Sequence, residues 1–176
     1  MLTLRAISEQ DERMLQDRGF SVSPERIVYV LESGGIVVGA LSAVAKPFES
    51  EWLGKNVGHI DSLQVWTDVR DLKVLAEEGL HKLRGEGMAL VSCRRAEKER
   101  ETIEALQLAG MRVVECLVTF THALDCTREI DHEVSIAPAE DAEGVGFIAE
   151  TAFIFDRFHA DVQVEKDKAD ALKGIW

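Results

Sequence analysis

The hydrophobic residues in the first 122 positions fall into short runs that predict β-strands. Ser33-Gly34-Gly35 separates two such runs and is typical of a hairpin turn. Pro47 interrupts the pattern, so residues 48–56 are predicted to form a loop. The predicted strands cover residues 2–7, 27–31, 36–44, 57–65, 88–93 and 112–122.

Apolar residues at helical spacing lie between and after these strands. Ser8 and Asp68 are suitable N-caps for two helices, and Gly110 suits the C-terminal end of a third. Alternating strands and helices predict an α/β fold. The predicted helices start after Ser8 and after Asp68, and cover residues 97–108, 145–152 and 165–176.

Composition and charge restrict the classes of function. Of the 176 residues 46% are hydrophobic, which is enough for a core. The net charge of −12 makes nucleic acid and anionic membranes poor partners, because an acidic surface repels both. The cysteines and histidines match no metal or redox spacing, and no apolar run is long enough to cross a membrane. We therefore expect a cytoplasmic protein with reduced cysteines and no metal site.

The loop after the predicted strand 57–65 has an unusual composition. A strand that leads into a helix through a short loop can bind a phosphate group, because the helix N-terminus offers unpaired N–H groups. Glycines in such a loop let the backbone approach the phosphate closely. The stretch from Val65 to Leu75 contains no glycine.

The order of these segments resembles the Gcn5-related N-acetyltransferase (GNAT) superfamily. Residues 29–41 are similar to the central hairpin of that fold, and residues 103–114 are similar to its late helix and the following strand. The resemblance implies a mixed, mostly antiparallel central sheet with helices on both faces. It also implies acetyl-CoA as the cofactor and a small-molecule amine as the substrate.

In that family an Arg or Gln followed by Gly-x-Gly-x-Gly/Ala holds the pyrophosphate of acetyl-CoA. Arg70 falls on the Arg/Gln position, and the glycine positions hold Asp71, Lys73 and Leu75. Asp71 would repel a pyrophosphate, and the side chains would obstruct close approach of the backbone. We therefore expect the acetyl-CoA site to be absent from this chain.

A narrower resemblance is to the dTDP-fucosamine acetyltransferase-like proteins. Residues 48–54, 117–120 and 153–161 are similar to three of their segments. Residues 4–11 and 134–141 align with each other without a gap, as the openings of two GNAT domains would. The resemblance therefore implies three parts: a degenerate GNAT-like domain over 1–124, a linker over 125–133, and the opening strand and helices of a second, incomplete GNAT-like domain over 134–176.

Asp156, Arg157 and His159 are the candidate substrate-binding residues. The resemblance places them near the acceptor site, which the segment after the first strand of a GNAT domain borders. Arg157 can contact a phosphate or carboxylate, and His159 can hydrogen-bond a hydroxyl or act as a base near neutral pH. The simpler alternative is the C-terminal turn of a helix, where the dipole favours His159 and water solvates Arg157.

Other side chains also allow two interpretations. Glu49, Glu51 and Asp61 lie where a general base could act, although solvated loop carboxylates are far commoner. Trp52 and Trp66 could line a sugar pocket, although packing over a sheet edge is the simpler interpretation.

A stretch of mixed charge follows the predicted strand 88–93. Residues 94–100 carry charges of both signs and predict a solvated helix start.

Two functions remain open from the sequence. The first is an N-acetyltransferase-family protein whose ancestral reaction is acetyl transfer from acetyl-CoA to a primary amine, such as that of an amino sugar nucleotide. Its activity would depend on residues beyond Trp176 or on a partner chain. The second is a non-catalytic GNAT-like module for assembly or ligand sensing, acting as a homodimer or partner subunit. No residue is assigned a catalytic role.

Overall fold

The computed structural model describes residues 1–118, 138, 141–152 and 156–173. The chain divides into two compact units, Met1–Arg112 and Val113–Trp176. The predicted linker, residues 125–133, and the predicted opening strand of a second domain lie outside the described residues. The predicted division of the chain at residues 125–133 therefore stays a prediction.

The first unit is built on a five-stranded sheet whose strands lie side by side in chain order. Neighbours among the first four strands pair antiparallel, and the fifth strand pairs parallel to the fourth. This mixed, mostly antiparallel sheet confirms the predicted fold class. The strands are β1 (Leu2–Ala6), β2 (Arg26–Ser33), β3 (Ile36–Ala45), β4 (Val57–Val65) and β5 (Leu90–Cys93).

Helices cover both faces of this sheet. Side chains alternate between the two faces of a strand, so Tyr29 and Leu31 of β2 join one core while Val28 and Val30 join the other. Helices α3 and α4 pack on the first face, and Leu15 of α1 packs on the second. The helices of this unit are α1 (Glu9–Asp17), α2 (Pro47–Leu53), α3 (Asp71–Gly85) and α4 (Arg100–Leu108).

Helix α1 begins with the predicted Ser8 cap. The Ser8 hydroxyl oxygen accepts a hydrogen bond from the Asp11 N–H, and the Asp11 carboxylate accepts one from the Ser8 N–H at 2.8 Å. The Arg5 guanidinium donates to the same carboxylate at 2.6 and 3.1 Å. Hydrogen bonds from Arg5 hold the pKa of the buried Asp11 far below its ordinary value. Asp11 therefore joins α1 to β1.

Three sequence predictions about this unit were wrong. Pro47 does not open a loop but begins α2, since proline fits the first helical position. Helix α4 begins at Arg100 rather than at residue 97, because the Glu99 carboxylate accepts the Ala96 N–H at 2.8 Å in a preceding turn. The strand predicted over 112–122, which starts at the end of this unit, is absent from residues 112–118, and the sheet of the described residues ends at β5; residues 119–122 lie outside the described residues.

The second unit contains short helices in its described part. They are α5 (Ala142–Ala152), α6 (Arg157–Ala160) and α7 (Lys166–Lys173). The first and last confirm the helices predicted from apolar spacing. Ala169 and Leu172 of α7 are fully buried or nearly so.

Close contact between α3 and the sheet depends on Gly79. A Cβ atom at this position would lie 2.4 Å from Cδ1 of Leu41, and Leu41 is itself fully buried. The side chain of Leu41 therefore has little room to move aside. Gly85, in the same helix, has open space at the equivalent position.

We expect Gly79→Ala to lower the free energy of unfolding by about 1–3 kcal/mol, because the added methyl group overpacks the core. Gly85→Ala is the matched control, and we expect it to be neutral or to stabilise by up to about 1 kcal/mol. Urea unfolding followed by circular dichroism measures both. Equal stability of the two variants would contradict the packing described for α3.

Candidate functional site

Strand β4 carries one more residue than its neighbour β3. Ser62 pairs with Ser42 and Ile60 pairs with Ala43, so Asp61 has no partner on β3. Such a bulge bends the strand that carries it. Strand β5 pairs with β4 only as far as Ile60. Strand β5 itself ends at Cys93, the partner of Ile60, so β4 has no partner on β5 from Asp61 onward. We call the place where this pairing ends the β4–β5 opening.

Neighbouring side chains hold the bulge in place. The Asp61 carboxylate is ion-paired with Arg26 and accepts a hydrogen bond from the Ser42 hydroxyl at 2.8 Å. Ser42 is completely buried and also accepts a hydrogen bond from Arg26 at 3.2 Å. The carboxylate that the sequence offered as a general base is therefore engaged in maintaining the strand geometry.

A groove of about 400 Å³ follows the end of β4. One wall is apolar and includes Leu63, Val65 and Leu72. The opposite side carries the carboxylates of Glu99 and Glu101. The groove can therefore hold an elongated ligand, but its charge is unfavourable to a polyanion.

Trp66 forms part of the same groove and is anchored on its other side. The backbone N–H of Trp66 donates to the Val38 carbonyl at 2.8 Å. Its ring meets Phe20 edge to face at a centroid distance of 6.3 Å, and the Arg18 guanidinium lies 4.6 Å from the ring centroid. Trp66 thus packs over the sheet, as the simpler interpretation of the sequence expected.

Trp52 and two of the candidate acids lie together on α2. Trp52 is 40% exposed, and its ring centroid lies 6.4 Å from that of Phe48. Glu49 and Glu51 are on the same short helix, which packs against β4. These side chains are therefore grouped at the surface of α2 and not around the bulge.

The loop between β4 and α3 satisfies its own backbone donors. The N–H of Arg70 donates to the Asp68 carboxylate at 3.0 Å, and the N–H of Asp71 donates to the Asp68 carbonyl at 2.9 Å. The N–H of Leu72 donates to the Val69 carbonyl at 3.1 Å. Asp68 was predicted to cap α3, but the helix begins at Asp71 and Arg70 occupies the N-cap position.

Asp68 and Arg70 also neutralise each other. The guanidinium donates to both carboxylate oxygens at distances from 2.5 to 3.0 Å. These hydrogen bonds lower the pKa of Asp68 to about 2. Arg70, which the family resemblance places at the position that binds pyrophosphate, is thus already paired with Asp68.

The residues present do not fit the diphosphate of a coenzyme A thioester. The first helical amides are occupied, Arg70 is paired, and no glycine allows close approach. Asp71 lies in the first turn of α3, and Glu99 and Glu101 lie in the groove. All three would repel a pyrophosphate.

Asp156, Arg157 and His159 lie together at the start of α6. Asp156 is the N-cap, and its carboxylate accepts the N–H of Phe158 at 2.7 Å and that of His159 at 3.3 Å. Helix α6 is a single turn, so Arg157 and His159 lie in its first turn and in its last turn alike, and the alternative of a C-terminal turn stays open. The Arg157 guanidinium lies 4.5 Å from the Phe158 ring centroid. The assignment of the three residues to substrate binding stays a prediction.

The imidazole of His159 bridges two carboxylates. Its Nδ1 is 2.5 Å from Asp156 and its Nε2 is 2.7 Å from Asp170. The hydrogen bond with Asp170, together with that of Asp156, raises the pKa of His159 above 6.5 against the opposing effect of burial. The side chain is only 8% exposed. His159 therefore joins α6 to α7 through its hydrogen bonds to two carboxylates.

Among the described residues, no group of three or more His, Cys, Asp and Glu side chains could hold a metal ion. In the same part of the chain, no helix combines the length and the hydrophobicity that a membrane span requires.

Sequence reasoning missed two residues that the structure brings into these clusters. Asp170 lies eleven positions after His159 and on a different helix, so no periodicity within one helix brings the two side chains together. Arg95 belongs to the mixed-charge stretch predicted to be solvated, yet its Nη1 donates to the Asp61 carbonyl at 3.2 Å. The only sequence signal for Arg95 is its position two residues after the predicted strand 88–93.

We expect the α6–α7 pair to lose stability as the pH rises. Because folding raises the pKa of His159, its contribution is complete below the ordinary value of 6.5 and disappears as the pH passes through the raised value. Thermal unfolding between about pH 6 and pH 9, followed by NMR signals of α7, measures this loss. His159→Gln should flatten the pH dependence, and the exposed His81→Gln should leave it unchanged. An equal slope in the His159→Gln variant would contradict the bridge.

Comparisons with known proteins give a match at the level of structure. No family model matches the chain, and no curated protein matches its sequence. An aminoglycoside acetyltransferase from an uncultured soil metagenomic sample, in complex with trehalose, is similar with a TM-score of 0.53 and 17% identity, over 70% of this chain and 97% of that one. A transcriptional regulator from Bacillus halodurans C-125 has a TM-score of 0.52 and 13% identity, over 69% and 100%.

A third similar structure has a coenzyme A derivative bound. AAC(6')-Iy in complex with the bisubstrate analogue CoA-S-monomethyl-acetylneamine has a TM-score of 0.50 and 9% identity, over 70% of this chain and 99% of that one. At such identities these likenesses concern the fold alone. The chain has a GNAT-like fold, shared with acetyltransferases of solved structure.

Proposed function

We propose that this chain is an N-acetyltransferase-family protein whose first unit no longer binds acetyl-CoA. The observation that carries the proposal is the self-satisfied loop between β4 and α3. Its amides and the Arg70 guanidinium are bonded to Asp68 and Val69, which leaves them unable to receive a pyrophosphate without breaking those bonds. The unit thus keeps the architecture of the family and lacks its phosphate cradle.

The ancestral reaction in this proposal is acetyl transfer to a primary amine. In such a reaction the amine attacks the thioester carbonyl, and backbone N–H groups beside the substrate polarise that carbonyl. The similar aminoglycoside acetyltransferase supports a small-molecule amine as the acceptor class. Under the proposal, residues 1–124 are the copy of a duplicated fold that does not bind acetyl-CoA, and residues 134–176 are the first elements of the second copy.

Asp156, Arg157 and His159 remain our proposed substrate contacts. Their grouping at the start of α6 supports this assignment. Because His159 is held between two carboxylates, Arg157 is the residue that we expect to meet an anionic group of the substrate. An amino sugar nucleotide offers such a group in its diphosphate.

The second candidate is a non-catalytic module for assembly or ligand sensing. The transcriptional regulator with a similar fold supports it, since the same architecture occurs in a protein named for regulation and not for transfer. Exposed apolar side chains on α5 also support a partner subunit or homodimer: Val145, Phe147 and Ile148 are 52%, 65% and 59% exposed.

We expect isothermal titration of the full chain with acetyl-CoA to give no binding at micromolar concentrations. The same experiment on Asp68→Ala/Asp71→Gly tests the cause, because this variant frees Arg70 and removes the nearest negative charges. We expect the double variant to gain measurable affinity. Micromolar binding by the unmodified chain would contradict the proposal.

Glu77→Ala/Glu78→Ala is the matched control for that titration. It removes the same amount of negative charge from exposed positions further along α3. If this control gained as much affinity as the loop variant, long-range repulsion and not the bonded loop would exclude acetyl-CoA.

A further inference from the structure

Arg95 reaches from the end of β5 to the bulge of β4. Its Nη1 donates to the carbonyl of Asp61 at 3.2 Å and to the carbonyl of Arg94 at 3.2 Å. Strand β5 ends at Cys93, so Arg95 lies two residues beyond the last paired residue, and its side chain reaches the Asp61 carbonyl at the β4–β5 opening. These two hydrogen bonds fix the orientation of the guanidinium plane.

The other edge of this guanidinium is buried and has no acceptor. Nε and Nη2 of Arg95 are both shielded from solvent and make no hydrogen bond, in contrast to the paired Arg5, Arg26 and Arg70. Burying a charged donor without a partner is costly, so protein structures rarely leave one unsatisfied. This edge therefore calls for an anionic partner.

The acidic side chains nearby have other partners. The Asp61 carboxylate is engaged by Arg26 and Ser42. The Glu99 carboxylate accepts the Ala96 N–H at 2.8 Å. We therefore expect a bound ligand to supply the negative charge that meets Nε and Nη2 of Arg95.

The geometry of the unpaired edge selects the chemistry of the ligand. The Nε–H and Nη2–H bonds of a guanidinium point in parallel and match the two oxygens of a carboxylate. Burial raises the pKa of the Cys93 thiol, Arg95 lowers it, and Glu99 raises it. Both charged groups therefore act on Cys93 at the end of β5. Glu99 and Glu101 carry negative charge in the groove that follows β4, which makes a doubly charged phosphate less favourable there than a singly charged carboxylate.

We propose that Arg95 anchors a binding site for a small carboxylate in the β4–β5 opening. The inference rests on the proposed function, in that acetyl-CoA does not occupy this opening. It names the ligand class of the module: a monoanionic carboxylic acid held bidentately by Nε and Nη2. Because the edge is shielded from solvent, the bound carboxylate is enclosed, and the Nε proton exchanges more slowly with water.

Sodium acetate is the probe for this site. In the full-length ¹⁵N-labelled chain, the Nε–H resonance of Arg95 should shift and saturate at millimolar acetate, while sodium chloride of equal ionic strength leaves it in place. Arg95→Lys identifies the resonance by its loss, and its remaining spectrum reports whether the variant is folded. The exposed neighbour provides the matched control, since Arg94→Lys should keep the full response.

Several results would overturn the site. These are an Arg95 resonance unmoved by acetate, acetate-dependent thermal stabilisation that persists in Arg95→Lys, or a response to phosphate as strong as that to acetate. The measurement contains no acetyl-CoA. A chain that binds acetyl-CoA by titration while Arg95 responds to acetate refutes the proposed function alone, and the reverse outcome refutes the carboxylate site alone.

Discussion

The extra residue at Asp61 is the constraint on which the geometry of the first unit depends. Side chains in a regular strand alternate, so residues three apart would face opposite sides. Ile60 and Leu63 nevertheless belong to the same core beneath α3, because the bulge inserts one position between them. The bulge also follows directly after Ile60, the last residue of β4 that pairs with β5. One backbone irregularity thus sets which side chains of β4 reach the core, and it lies where the pairing with β5 ends.

The polar residues of this protein are largely satisfied by one another. Arg26 and Ser42 hold Asp61, Asp68 holds Arg70, and two carboxylates hold His159. Each set contains groups that a ligand could otherwise use, and each is instead committed to a local structural role. Arg95 differs, since its Nη1 donates to two backbone carbonyls while Nε and Nη2 make no hydrogen bond.

The sequence predicted the elements that local chemistry determines. Ser33-Gly34-Gly35 correctly indicated a hairpin, because both glycines adopt positive φ at the turn, and Ser8 correctly indicated the start of α1. Pro47 was misread because proline both interrupts strands and begins helices, and only the surrounding fold decides between the two. Asp68 was misread for a similar reason, since its carboxylate prefers the adjacent Arg70 to the helix amides.

The environment of Arg95 could not be predicted from residues 94–100, because burial at that point depends on where β4 bends. The contact of His159 with Asp170 likewise depends on how α6 and α7 pack, because the two residues lie on different helices. The strand order has a kinetic consequence for synthesis. Since β1 to β4 occupy neighbouring places in chain order and pair antiparallel, each strand can pair with one that has already been synthesised, and we expect them to assemble while the polypeptide emerges. Strand β5 must wait for the whole of α3 to form the parallel crossover. The opening between β4 and β5 is thus completed last, after the rest of the sheet exists to receive it.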